Sequence, residues 1–177
     1  MDDNSSLIGR RSGKPFTIER ARELLHYDPQ TGAFTRKIGW GRVSPVGKQI
    51  GSIMANKYVH IGIDGLCFYA HRLAWFYITG SWPRGLLDHI DGDSTNNRFA
   101  NLREATSRQN SGNSKLSKAN TSGRKGVSWA PKRGKWRASI VKNRRQIFLG
   151  YYPSIEDASA AYRSAALDVF GKFARIQ

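Results

Sequence analysis

The sequence predicts an α+β protein of two small domains, on three observations. Several short segments alternate apolar and polar residues, several others space their apolar residues by three and four, and residues 112–123 consist mostly of Gly, Ser, Lys, Asn and Thr. Alternation is typical of half-buried strands and the wider spacing of amphipathic helices. Residues 112–123 cannot bury a core. We therefore expect a mobile start at 1–14, a first domain at 15–113, a linker at 114–123 and a second domain at 124–177.

The first domain opens with a short helix. Thr17 is its predicted cap, because Ile18, Ala21, Leu24 and Leu25 follow at helical spacing. A turn rich in Asp, Pro and Gly then ends the helix. Strand patterns follow at residues 33–37, 58–63, 66–70, 86–90 and 102–105, and helical patterns at 71–79 and 106–110.

The second domain is predicted to be three antiparallel strands packed on one helix. The strand patterns lie at 126–129, 136–141 and 146–149, and turn-forming residues separate them. The helix at 154–169 has a capping serine, Ser154, and an apolar stripe.

Composition excludes several classes of protein. The 177 residues carry 29 Lys and Arg against 13 Asp and Glu, a net charge of +16 that favours a polyanionic partner, with nucleic acid ahead of a membrane surface. The single Cys67 can form neither an intrachain disulfide nor a Cys-rich zinc site. The sequence has no apolar run of membrane-spanning length, and its start is acidic and polar. We expect a cytoplasmic protein, in a bacterial host cell if a phage encodes it, with no membrane partner.

The distribution of charge points to a metal site. Residues 1–87 carry a net charge of +6, residues 88–113 of −1 and residues 114–177 of +11. An acidic segment between two basic ones would repel DNA unless a divalent cation neutralised it. The middle segment is therefore where a metal is expected.

Asp88, His89, Asn101 and Asn110 are the candidates for chemistry in that segment. Hydrolysis of a phosphodiester needs a base for the attacking water and, on the opposite side of the phosphorus, a cation for the departing 3′ oxygen. Neighbouring side chains of a strand point in different directions, so Asp88 can hold a metal while His89 faces the water. Asn110 would add a neutral oxygen ligand, and Asn101 would brace the backbone near His89. Such oxygen ligands suit Mg²⁺ or Mn²⁺.

The motifs around these residues are 88–93 (DHIDGD), 96–98 (NNR), 101–103 (NLR) and 109–110 (QN). They resemble the HNH nuclease motif of phage homing endonucleases, and upstream motifs extend the resemblance to residues 17–113. The resemblance implies a ββα-metal fold in which His89 is the general base, Asp88 and Asn110 are metal ligands and Asn101 is a structural brace. Asn110 stands where other members have His, and no paired cysteines exist for the structural zinc of some members.

The C-terminal third resembles the apetala-two/ERF DNA-binding domain. The resemblance rests on residues 125–127 (KGV), 135–140 (KWRASI), 149–152 (LGYY) and the helix motif at 156–166. It implies that one sheet face reads the major groove of double-stranded DNA. The residues expected to bind DNA are Lys125, Ser128, Arg133, Lys135, Arg137, Ser139, Lys142, Arg144, Arg145, Gln146 and Phe148. Ser128 and Phe148 depart from the usual Arg and Trp, so plant sequence preferences do not carry over.

Two classes of function remain. The first is a metal-dependent HNH homing-type endonuclease. Its first domain would cleave DNA and its second domain would recognise the target, so that a chain ending near Ser114 would still cut DNA. The second is a DNA-binding regulator with a vestigial nuclease site, and an RNA-binding protein is a weaker third. The sequence leaves open the target, single- or double-strand cleavage and the oligomeric state.

Overall fold

The computed structural model describes residues 16–39 and 45–176, so the mobile start predicted at 1–14 lies outside the described residues. The chain divides into two compact units with the boundary between Glu104 and Ala105. Helices and strands alternate in both units, in agreement with the α+β class. The elements of the first unit are α1 (Ile18–Leu24), β1 (Leu25–Asp28), β2 (Ala33–Arg36), β3 (Gln49–Ile50), β4 (Ser52–Ile53), β5 (Val59–Ile63), β6 (Leu66–Tyr69), α2 (Ala70–Thr79), β7 (Leu86–His89) and β8 (Leu102–Ala105).

The boundary differs from the linker expected at 114–123. That segment has no core residues, but its polar groups bond within the second unit. The Ser122 hydroxyl donates to the carbonyl of Val127 at 2.7 Å, and the Lys125 ammonium donates to the carbonyl of Ser114 at 2.8 Å. Local hydrogen bonds therefore tie the segment to the unit that follows.

The start of the first unit differs from the predicted helix in one respect. Thr17 caps α1 by accepting from the backbone N–H of Arg20, as expected, but Leu25 belongs to β1, a strand absent from the sequence analysis. β1 pairs with β2 in antiparallel register, with Tyr27 opposite Phe34. Leu25 is fully buried in either conformation, so burial alone could not distinguish the end of a helix from the start of a strand.

Three small sheets build the first unit, in the strand orders β1-β2-β3, β4-β5-β6 and β7-β8. The hairpin of β5 and β6 turns at Asp64 and Gly65, between the strands predicted at 58–63 and 66–70, and α2 follows β6 directly. The fully buried side chains of the core are aromatic and aliphatic, and the largest are Phe34, Phe68, Leu25, Ile61, Ile63 and Leu73.

The second unit comprises α3 (Ser107–Gly112), β9 (Val127–Ala130), β10 (Lys135–Lys142), β11 (Arg145–Tyr152) and α4 (Ile155–Phe170). Its sheet is antiparallel in the order β11-β10-β9. Ala138 and Ile140 of β10 are buried with Ala158, Tyr162 and Ala166 of α4. Alternate residues of β10 therefore lie on the face away from α4.

Candidate active site and nucleic-acid interface

Asp88 and His89 end strand β7, and each is only 5% exposed. The Asp88 carboxylate pairs with the Arg103 guanidinium from β8, with Oδ2 lying 2.8 Å from Nε and 2.7 Å from Nη2. A buried carboxylate requires such a partner, because its desolvation is otherwise costly. The sequence analysis assigned Arg103 no role. The only signal for it was its place in the strand predicted next to β7.

The His89 ring is held by Asn97. Its Nε2 lies 3.3 Å from Oδ1 of Asn97, a residue that is 3% exposed. The Asn97 amide nitrogen donates to the carbonyl of Thr95 at 3.2 Å, which turns Oδ1 toward the imidazole. Because this oxygen can only accept, the hydrogen-bond network assigns the ring proton to Nε2. The lone pair of neutral His89 is then on Nδ1.

The environment of His89 favours its neutral form. Burial lowers the pKa of His89, and it outweighs the opposing effects of the Asn97 hydrogen bond and of the charges on Asp91, Asp88 and Asp93. A neutral imidazole is the form that accepts a proton. The lowered pKa keeps this form populated to lower pH than in an unperturbed imidazole.

Asn101 closes the loop between β7 and β8. Its Oδ1 accepts from the backbone N–H of Asp91 at 3.1 Å, and its Nδ2 donates to the carbonyl of Asn96 at 2.8 Å. Its own carbonyl accepts from the backbone N–H of Ile90 at 2.9 Å. Asn101 thus contacts the backbone immediately after His89. Partial burial opposes ionisation of Asp91, but hydrogen bonds from Asp93, Asn101 and Asn96 outweigh it and lower the pKa of Asp91.

The hairpin of β1 and β2 supports the same loop from outside. The Tyr27 hydroxyl donates to the carbonyl of Asn97 at 2.7 Å. Gly32, in the turn of the hairpin, approaches so closely that a Cβ there would lie 2.5 Å from the backbone N of Arg98 and 2.5 Å from the carbonyl carbon of Asn97. The sequence analysis predicted only the second strand of this hairpin, at 33–37, and gave it no part in the site.

His71 lies beside His89, with the two ring centroids 5.1 Å apart. Its Nδ1 is buried and has no hydrogen-bond partner among the described residues. Burial, together with the charges of His89, Arg72 and His60, lowers the pKa of His71 to about 3. The His71 ring packs among the aromatic rings of Tyr58, Tyr69 and His89.

Asn110 lies on α3 in the second unit and is exposed. The helix begins with a capping box in which the Thr106 hydroxyl and the Gln109 side chain each bond the other's backbone. Carboxylate and amide oxygens such as those of Asp88 and Asn110 fit a hard divalent cation in donor chemistry. No group of three or more His, Cys, Asp or Glu side chains suited to a metal occurs in residues 16–39 and 45–176.

The strand register gathers several predicted DNA-binding residues on one sheet face. Arg137 stands opposite Ser128 on one side and Tyr151 on the other, and Ser139 stands opposite Phe148. The Gln146 amide donates to the Ser139 hydroxyl at 2.9 Å. Arg133, Lys135, Lys142, Arg144 and Arg145 are exposed in the turns and strand ends around this face.

Two residues of the second unit differ from the sequence analysis. A bulge opposite Ala138 and Ser139 brings Phe148 and Tyr151 together on the outer face, with ring centroids 4.9 Å apart. Tyr151 was missed, and the signal for it was Gly150, whose φ of 142° marks the bulge. Lys125, expected to bind DNA, donates to the carbonyls of Gly112 and Ser114, contacts that the sequence analysis did not anticipate.

Residues 68–111 match a family model described as HNH endonuclease. Protein 3.8 of Escherichia phage T7 is 36% identical over 108 residues, which are 60% of this chain and 88% of that protein. A protein of Acanthamoeba polyphaga mimivirus named as an uncharacterized HNH endonuclease is 37% identical over 106 residues, 59% of this chain and 54% of its own length. No solved structure matches the chain. Every helix in the described ranges is too short or too polar to cross a bilayer.

Proposed function

The chain belongs to the HNH endonuclease family, and on that basis we propose that it is a metal-dependent homing-type DNA endonuclease directed to its target by the C-terminal three-stranded sheet. The observation that best supports the chemistry is the setting of His89. Its imidazole is buried, has a lowered pKa and is hydrogen-bonded through Nε2 to Asn97, and it directly follows the buried carboxylate of Asp88. A base for water and a ligand for a cation thus occupy consecutive positions.

His89 acts as the general base in this proposal. Its Nδ1 removes a proton from the water that attacks the phosphorus, while Asn97 holds Nε2 and so maintains the ring orientation. The carboxylates of Asp88, Asp91 and Asp93 favour the protonated ring and therefore stabilise the imidazolium as it forms. Asn101 keeps the backbone after His89 in place.

Asp88 and Asn110 are the proposed ligands of the cation, Mg²⁺ or Mn²⁺. When bound, this cation would offset the charge that develops on the departing 3′ oxygen. Arg103 holds the Asp88 carboxylate through Oδ2 and limits the directions in which it can point. Asn110 contributes an oxygen without adding negative charge next to DNA.

The proposed DNA-recognition surface is the outer face of the C-terminal sheet, which resembles that of apetala-two/ERF domains. The polar side chains of Arg137, Ser139 and Gln146 lie beside the exposed ring of Phe148. The guanidinium carbon of Arg137 lies 5.8 Å from the centroid of that ring. A guanidinium on this face can bind a base edge or a phosphate.

The test is incubation of supercoiled plasmid or phage DNA with the full chain and Mg²⁺, followed by mapping of the ends on both strands. We expect His89→Ala to lower the cleavage rate by about 10²–10⁴-fold and to leave DNA affinity nearly unchanged, because a general base contributes little to ground-state binding. Asp88→Ala should abolish cleavage at any practical Mg²⁺ concentration, and EDTA should stop cleavage without releasing DNA. Wild-type chain that binds DNA and never cuts it would instead support a regulator with a vestigial site.

A further inference from the structure

Asn110, the proposed metal ligand on α3, belongs to the second unit of the structure. The boundary between the units lies before Ala105, whereas the HNH family match runs on to residue 111. The last part of the nuclease motif is therefore built on the C-terminal unit. A helix of six residues is too short to be stable alone, so its place depends on what it packs against.

The C-terminal end of α3 packs against the end of α4. Gly112 lies against the ring of Phe170, so closely that a Cβ at residue 112 would be 2.6 Å from Cγ of that ring. The Arg108 guanidinium donates to the carbonyl of Val169 at 3.3 Å, and the backbone N–H of Arg175 donates to the carbonyl of Gly112 at 3.1 Å. Only glycine at residue 112 allows α3 and Phe170 to come this close.

Lys125 completes this attachment. Its ammonium donates to the carbonyl of Gly112 at 2.9 Å and to the carbonyl of Ser114 at 2.8 Å, at the end of α3, where backbone carbonyls have no partner within the helix. The side chain is partly buried, and burial followed by the charge of Arg175 lowers the pKa of Lys125. A lysine that only contacted phosphates would have no reason to be desolvated in this way.

We propose that Lys125 and Phe170 are positioning residues of the nuclease site, because they hold the helix that carries Asn110. The contacts that hold Asn110 in place are then all made within the C-terminal unit. The inference rests on the proposed function, in which Asn110 is a ligand. It replaces the expectation that a chain ending near Ser114 would still cut DNA, since such a chain lacks both Lys125 and Phe170.

The experiment measures Mn²⁺ binding to the full chain by electron paramagnetic resonance, without DNA and without turnover. We expect Lys125→Met to raise the Mn²⁺ dissociation constant by about 10–100-fold, the range found when residues that orient metal ligands are replaced. Lys132→Met removes the same charge from an exposed lysine of the same unit and should bind Mn²⁺ as the wild type does. Lys125→Arg keeps a cationic donor and should recover part of the affinity.

Two further measurements identify the cause. Hydrogen exchange of the amides in α3 should quicken in Lys125→Met, while α4 remains protected. Binding to duplex DNA in EDTA should be nearly the same for Lys125→Met and Lys132→Met. A selective loss of DNA affinity with unchanged Mn²⁺ affinity would make Lys125 a DNA contact and overturn the proposal.

Gly112→Ala tests the other contact without any change of charge. The added methyl group must displace Phe170 or α3, so Mn²⁺ affinity should fall in the same direction as in Lys125→Met. Should Lys125→Met prove unfolded by its melting temperature, Gly112→Ala and Lys125→Arg decide the question by the same binding measurement.

Asn110→Ala separates this inference from the function on which it rests. If Asn110→Ala leaves Mn²⁺ affinity and cleavage unchanged, the assignment of Asn110 as a ligand fails. If Asn110→Ala weakens Mn²⁺ binding while Lys125→Met and Gly112→Ala match the wild type, Asn110 remains a ligand and the positioning role of the C-terminal unit is refuted.

Discussion

Asn97 decides which nitrogen of His89 carries the lone pair. Its amide is oriented by Thr95, its backbone carbonyl is bound by the Tyr27 hydroxyl, and its Oδ1 receives the Nε2 proton of His89. A single buried residue thus links the surrounding loop to the imidazole of the proposed base through hydrogen bonds. Replacing this amide changes the chemistry of His89 without touching its ring.

Asn97→Asp should raise the pKa of His89, because a carboxylate near Nε2 stabilises the imidazolium. The acidic limb of the cleavage profile then moves to higher pH, and the ratio of the rate at pH 6 to that at pH 8 falls. The measurement is single-turnover cleavage from pH 5 to pH 9. Asn143→Asp makes the same change in the exposed turn between β10 and β11 and should leave the limb in place. An unmoved limb in Asn97→Asp would exclude His89 as the titrating base.

His71 should make the folded protein sensitive to mild acid. Its pKa of about 3 in the folded state lies below the ordinary 6.5 of the unfolded chain, so the unfolded state binds a proton first as the pH falls. The contribution of neutral His71 to the free energy of unfolding is therefore complete above about pH 6.5. It is lost as the pH falls toward 3, at about 1.4 kcal/mol per pH unit.

The measurement is the free energy of unfolding in urea at pH 7 and at pH 5, above most of the carboxyl titration. His71→Phe keeps an aromatic ring among Tyr58, Tyr69 and His89 and should reduce the change in the free energy of unfolding between pH 7 and pH 5. The residual slope belongs to His89, whose pKa is also lowered. Equal slopes in the wild type and His71→Phe would show that His71 does not titrate as proposed.

The hairpin of β1 and β2 contacts the loop between β7 and β8. It provides the Tyr27 hydroxyl for the carbonyl of Asn97, and its turn at Gly32 lies against residues 97 and 98. Gly32 has a φ of 75°, so a side chain there meets both backbone strain and a close neighbour.

Gly32→Ala should lower the free energy of unfolding by more than Gly80→Ala does. Both glycines have a φ of 75°, but a Cβ at Gly80 meets nothing within 4 Å. The strain alone costs about 1–3 kcal/mol, and only Gly32→Ala must also displace the loop. We expect cleavage to fall in Gly32→Ala and to persist in Gly80→Ala when both are assayed below their melting temperatures. Indistinguishable losses would mean that the hairpin does not support the site.

Charge is divided unequally over the whole molecule. Residues 105–177 hold 15 of the 29 basic residues and 3 of the 13 acidic residues, a net charge of +12 out of +16. Most of the long-range attraction to DNA therefore originates in the unit that carries both the sheet and α3. The same unit is proposed to address DNA and to hold one ligand of the metal.

The salt dependence of DNA binding should report which charges contact phosphates. The triple substitution of Lys142, Arg144 and Arg145 by Gln should make the slope of log affinity against log salt shallower by about 2.5–3, at about 0.9 per contact. Substitution of Lys115, Lys118 and Lys132 by Gln, equally basic and exposed, should change it less. Equal changes of the salt slope in the two triple variants would mean that DNA binding depends on the total positive charge and not on contacts at a defined surface.

The local pattern of residues determined most of the elements. The cap at Thr17, the hairpin at Asp64 and Gly65, the strand Leu102–Ala105 and the start of α4 after Ser154 agree with the sequence analysis, since caps, turns and alternation are local properties. The sequence also identified Asp88, His89, Asn101 and Asn110 as candidates, because residue types and their order along the chain can be recognised without a structure.

Only the tertiary structure decided what holds those candidates in place. Arg103 on Asp88, Asn97 on His89 and Lys125 on the end of α3 are contacts between side chains and groups that sequence spacing does not bring together. The strand at Leu25 was likewise missed, because an apolar residue in a core is compatible with helix or strand until a pairing partner selects one. Residue types and their order determine which chemical groups are available. Burial and long-range hydrogen bonds determine how the imidazole of His89, the carboxylate of Asp88 and helix α3 are oriented.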